Sequence, residues 1–122
     1  MTQKEKAILA AQGLQSKKGG DVCLLAVEHV TVLAEYFLLA TAKNMPQMYA
    51  MLDAVEDAMA PLGETARFNP APRDSAWRIL DYGWLVVHVF LPEQRDYYNL
   101  ERLWCDGQNQ VPLPEVEEGA KA

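Results

Sequence analysis

The chain is poor in the residues that covalent and metal chemistry draw on. It has two cysteines, Cys23 and Cys105, and two histidines, His29 and His88. No CxxC pair occurs and no histidine stands near a cysteine at ligand spacing, so neither a zinc site nor a haem site is expected. Cys23 lies in an apolar run and reads as a small core residue. Ser16 and Ser75 are the only serines, and neither has the elbow or the neighbouring base of an activated nucleophile. Gly19 and Gly20 feed a strand-like run with no Lys-Ser or Lys-Thr behind them, which excludes a phosphate-cradling loop. Long apolar runs are missing too. The longest, Val22 to Val27 and Leu85 to Leu91, fall far short of the ~20 residues a membrane helix requires. Met1 to Glu5 show no apolar signal region, so a cytoplasmic location is expected.

Positive charge is also in the minority, with 17 acids against 11 bases and a net charge of −6. Proteins that grip a nucleic-acid backbone use clustered Lys and Arg to replace counterions, so little direct nucleic-acid binding is expected. A basic protein partner suits this balance, although acidity that merely keeps a chain soluble accounts for it as well. Apolar residues, by contrast, make up 50% of the 122. That is one domain's worth of chain, long enough to bury roughly two thirds of its unfolded surface in a single core.

Thr2 followed by Glu5 forms a capping-box pattern, and Ile8, Ala11 and Leu14 give a modest stripe, so a helix is predicted over residues 3–16. Lys17, Lys18, Gly19 and Gly20 end it. Strands are predicted from Val22 to Glu28 and from Tyr36 to Ala42, with Lys43 and Asn44 bounding the second. Asn44 is a good N-cap, with Pro46 in the first turn and Gln47 at the third position. Met48, Leu52, Val55 and Met59 follow at helical spacing, and the helix stops near Pro61 and Gly63. Its methionines suit either a core stripe or an adaptable binding surface. Trp77 to Asp81 and Leu85 to Leu91 read as a hairpin. Glu93 to Trp104 reads as a short helix. After Gly107 the chain turns polar and acidic, as a solvated tail would. The expected architecture is a single α+β domain, a mixed sheet flanked by helices, over residues 1–106, with an acidic disordered tail over 107–122.

The hairpin carries the sharpest geometric expectation. A two-residue turn at Gly83 and Trp84 sets Tyr82 opposite Leu85 and Asp81 opposite Val86. Alternation then places Trp77, Ile79, Asp81, Val86, His88 and Phe90 on one sheet face. Arg78, Leu80, Tyr82, Leu85, Val87 and Val89 take the other, which suits contact with helices. The first set mixes aromatics with Asp81 and His88. It fits a partly exposed recognition surface, and equally a half-buried face whose His88 is satisfied internally. Asp21, Asp74 and Asp81 are the carboxylates that strand ends could bring together. No close acidic pair sits on one strand, however, and a two-metal site needs a denser cluster.

These same residues carry a resemblance. Asp81-Tyr82-Gly83, Val86-Val87-His88-Val89-Phe90, Arg95, Tyr98, Leu100-Glu101 and Leu103-Trp104 resemble the signature of the Iojap family, whose bacterial members are called ribosomal silencing factors. Asp21 before an apolar strand, Tyr36-Phe37 leading through Ala40-Thr41 into a capped helix, and Trp77 agree with it. The likeness covers roughly residues 3–106. The chain departs from the family pattern at Trp84, where Asp is usual, at Ala42, where Gly is usual, and across Val30 to Ala34. The resemblance implies a nucleotidyltransferase-like core without catalytic acids, binding rather than catalysis, and no cofactor. Its implied partner is the large ribosomal subunit, through large-subunit ribosomal protein fourteen. Occupying that protein would block joining of the small subunit and lower translation when nutrients are scarce; some members appear as homodimers. On this basis Trp77, Asp81, His88 and Phe90 are expected at or near the contact, with Tyr82, Arg95, Tyr98 and Glu101 around it. Phe90 and Tyr98 are equally fitting as core residues, and Arg95 with Glu101 as a brace. The rival readings are an enzyme on the same scaffold and a factor that helps the large subunit mature.

Overall fold

A computed structural model of the chain describes residues 2–29, 31, 34–67, 76–93 and 109–113. In chain order the elements are α1 (Gln3–Ser16), β1 (Gly20–Ala26), β2 (Tyr36–Thr41), α2 (Met45–Met59) with a 3-10 turn at Ala60–Leu62, β3 (Trp77–Asp81), β4 (Leu85–Phe90) and β5 (Gln110–Val111).

Local chemistry sets the helix starts. The Thr2 hydroxyl accepts from the Glu5 backbone N–H at 3.1 Å while the Glu5 carboxylate accepts from the Thr2 N–H at 2.8 Å. This reciprocal cap satisfies two otherwise orphaned donors. Asn44 caps α2 by accepting from the Gln47 N–H at 2.9 Å. Gln47 does more. Its side-chain amide donates to the carbonyls of Lys17 and Lys18, each at 3.0 Å, and accepts from the Lys43 N–H. One side chain thus ties the end of α1 to the start of α2.

The sheet order is β3-β4-β2-β1-β5. β2 and β4 run parallel, Tyr36 opposite Leu85 through Thr41 opposite Phe90, and the other pairings are antiparallel. Residues alternate between two apolar clusters, as period-two geometry requires. One joins Leu24, Leu38, Leu85, Val87 and Val89 to Ala7, Ala10, Ala11 and Leu14 of α1 and to Met48, Met51, Leu52, Val55 and Met59 of α2. The other, on the opposite face, gathers Cys23, Leu25, Val27, Phe37, Leu39 and Phe90, with Trp77 and Val86 against it. Full burial of each such aliphatic side chain contributes about 1.5–3 kcal/mol before the entropy of ordering it. The small residues of α1 let it lie close to α2, and a Cβ at Gly13 would come within 3.1 Å of the Ala54 carbonyl oxygen.

The predicted hairpin register holds: Trp77 pairs with Phe90, Ile79 with His88 and Asp81 with Val86. Gly83 takes φ 88°, a left-handed value that glycine adopts without strain, and its N–H donates to the Asp81 carboxylate at 2.8 Å. Three of the four methionines of α2, Met48, Met51 and Met59, are wholly buried in the core, and Met45 packs partly buried against it.

Two boundaries differ from expectation. β1 begins at Gly20, before Val22, because a bulge between Gly20 and Cys23 lets the chain pair with Thr41 earlier. The segment expected to be a solvated tail contributes β5. Leu24 pairs with Val111 and Leu25 with Gln110, and Asn109 donates from its side chain to the Ala26 carbonyl at 2.9 Å. A two-residue strand in polar sequence carries no periodicity to read, but one buried side chain, Val111, anchors it. The predicted helix over Glu93 to Trp104 falls, after Glu93 itself, outside the described residues, as do residues 114–122.

Candidate functional site

The face of the β3–β4 hairpin turned away from the helices holds an aromatic cluster. Trp77 on edge strand β3 lies over Phe90 with ring centroids 5.2 Å apart and over His88 at 6.0 Å. His88 is parallel to Phe90 within 6° at 6.1 Å, and the edge-on ring of Phe37 lies 5.3 Å from it. The Trp77 indole N–H donates to His88 Nδ1 at 3.2 Å. His88 therefore carries its proton on Nε2, which has no hydrogen-bond partner among the described residues.

Burial holds the His88 imidazole far below its ordinary range, down to about 4, against the upward pull of the Asp81 carboxylate. The ring is neutral at physiological pH, as a group shielded from water must be unless its charge is compensated. It serves as a fixed acceptor for Trp77, with no accessible proton to exchange.

The expected site residues separate into distinct environments. Trp77 and Asp81 are half-exposed on the same strand and face, four residues apart, or about 13 Å along a strand. Val86 beside Asp81 is half-exposed as well. His88 and Phe90 are buried, at 8% and 1% exposure, so they support Trp77 from beneath instead of offering contact area themselves. Tyr82 points to the helix face and joins the main core. Its hydroxyl has no hydrogen-bond partner among the described residues, and burial, with Glu56 and Glu64 adding to it, pushes it up to about 12. Arg95, Tyr98 and Glu101 lie outside the described residues.

Trp84, at the hairpin tip, has a partner that its sequence context did not suggest. Its indole N–H donates to one oxygen of Glu64 at 3.0 Å while Lys6 pairs with the other at 2.8 Å. The two hydrogen bonds, from Lys6 first and then Trp84, hold the Glu64 carboxyl below its usual range. Tyr36 meets the Trp84 ring edge-on at 6.3 Å. The tip is thereby tied to α1 and to the segment after α2. A signal for this contact, an acid 20 residues from a tryptophan, is invisible without the fold. Among the described residues no group of three His, Cys, Asp or Glu is placed to hold a metal ion, and no helix is long and apolar enough to cross a membrane.

The fold is that of a small α+β protein, with Trp77 on a sheet edge packed over buried His88 and Phe90. The family model described as "Ribosomal silencing factor during starvation" matches residues 1–122, and the chain belongs to that family. It is 31% identical over 119 residues to the ribosomal silencing factor RsfS of Bacillus subtilis, covering 98% of each chain. A crystal structure of a Chromobacterium violaceum protein superposes with a TM-score of 0.79 at 32% identity, over 95% of this chain and 94% of that one. A mouse relative, "Mitochondrial assembly of ribosomal large subunit protein 1", is 26% identical over 75% of this chain and 41% of its own length. The family resemblance and the single α+β domain expected from the sequence both hold.

Proposed function

We propose that this chain is a non-enzymatic cytoplasmic factor that binds the large ribosomal subunit through large-subunit ribosomal protein fourteen and blocks joining of the small subunit. The observation that carries the reading is the family match along the whole chain. One surface feature supports a contact centred on Trp77. Trp77 is half-exposed on an edge strand and clamped in one orientation by His88 and Phe90. A pre-ordered aromatic surrounded by polar groups is the usual form of an interface hot spot. Asp81 on the same face, with Glu28 and Glu35 near its end of the sheet, gives the end opposite Trp77, about 13 Å away along the strand, a negative character. Ribosomal proteins are generally basic, so this polarity would accelerate encounter more than it would tighten the complex.

The test is co-sedimentation of purified protein with separated subunits on sucrose gradients, followed by addition of the small subunit. Binding to large subunits with fewer joined ribosomes is the expected result. Absence of binding to either subunit would overturn the reading. A second reading, a factor for large-subunit maturation, draws support from the name of the mouse relative. Enrichment on precursor particles over mature subunits would favour it.

A further inference from the structure

Net charge conceals how charge is arranged along the strand direction. Glu28 follows β1, Glu35 precedes β2 and Asp81 closes β3, and the pairings of Ala26 with Tyr36, Tyr36 with Leu85 and Asp81 with Val86 bring them to one end of the sheet. At the opposite end, Gly20, Thr41, Phe90 and Trp77 form one row across four strands. Lys17 and Lys18 lead into that row and Lys43 leaves it. All three are exposed. The Gln47 side chain holds their backbones together, touching the Lys17 and Lys18 carbonyls and the Lys43 N–H. Lys6 is paired with Glu64, yet none of these three lysines has a carboxylate partner among the described residues, in a chain with 17 acids. Asp21 and Glu93 are the described acids at this end.

We propose that Lys17, Lys18 and Lys43 contact phosphates of the large subunit's RNA. The inference rests on the reading that the chain binds that subunit, and adds a second class of contact to it. An ammonium on a flexible stem suits a phosphate, which asks for charge without fixed geometry. The basic proteins of the ribosomal surface would repel such a cluster, whereas the RNA between them is its natural counterion. The row places Trp77 three strand spacings from Gly20, about 14 Å. A standard interface of about 800 Å² per partner spans that distance, so protein and RNA contacts fit one docking event. The cluster alone would bind RNA feebly because the rest of the chain is acidic. It acts where the protein contact has already turned the acidic end elsewhere.

The test compares the wild type with the Lys17→Gln/Lys18→Gln/Lys43→Gln variant in co-sedimentation with purified large subunits, across salt from about 50 to about 200 mM. Three phosphate contacts contribute about 2–3 to the log–log salt slope, a loss of about 20- to 40-fold in affinity over that range. The variant should lose that part of the slope while keeping the wild-type thermal midpoint, since all three side chains are exposed. An unchanged slope, or a loss of binding equal at every salt concentration, would overturn the proposal. A photo-crosslinking residue at position 17 should label RNA; labelling of protein alone would overturn it too. Failure of the wild type to sediment with large subunits is a separate result, and would remove the reading beneath it.

Discussion

The neutral, buried His88 makes a prediction about acid stability whose size follows from the structure. In the unfolded chain the imidazole titrates near its ordinary value of 6.5; in the fold it is held down to about 4. Between those values the unfolded state binds a proton that the native state refuses, so stability falls as pH falls. The contribution is fully present above pH 6.5 and fades toward pH 4, at about 1.4 kcal/mol per pH unit, or about 3 kcal/mol in total. Protonation would also put a hydrogen on Nδ1, the atom that accepts from Trp77, and break the link that orients the indole. The perturbation is His88→Gln, which cannot titrate and retains an acceptor. Urea unfolding of both proteins from about pH 7 to about pH 4.5 should show the wild type losing about 2 kcal/mol more than the variant, the part of the total that falls within that window. Carboxylates held below their usual range, Glu64 among them, also lose stability on acidification, but they are common to both proteins and cancel. Parallel profiles would refute the argument, as would a proton NMR titration placing His88 near 6.5 in the folded state.

Other substitutions probe other links. Trp77→Ala should weaken large-subunit binding by about 2 kcal/mol or more, roughly 30-fold, in the co-sedimentation assay; lowered thermal stability with intact binding would move the contact elsewhere. Tyr82→Phe removes a buried hydroxyl without a partner among the described residues, so urea unfolding should show it neutral or up to about 1 kcal/mol more stable. Gln47→Ala removes two hydrogen bonds to the end of α1 and one from the Lys43 N–H and should cost about 1–2 kcal/mol, read as a lower urea midpoint with an unchanged slope.

The parts of the fold that were legible in the sequence are those encoded locally. Thr2 with Glu5 and Asn44 with Gln47 announce helix starts because capping is a contact three residues long. The hairpin register follows from Gly83 and from alternation, so the two faces of β3 and β4 are legible in the sequence. What was hidden depends on distant chain. Nothing in Gln110–Val111 shows that β1 awaits them. Gln47 reads as a helix N3 residue, and only the fold reveals that it gathers three lysines. His88 and Phe90 stand on the face predicted for recognition, but alternation assigns a face without assigning depth. Both are buried, beneath a half-exposed Trp77.

The pairing of β5 with β1 also bears on synthesis. Residues 24 and 25 leave the ribosome long before residues 110 and 111, and until the later pair arrives the outer edge of β1 is an open row of backbone donors and acceptors. Strand edges left open in this way template pairing with other chains, and folding during translation prolongs that exposure. A nascent copy thus carries, from the emergence of β1 until that of β5, a self-association hazard that the later strand removes.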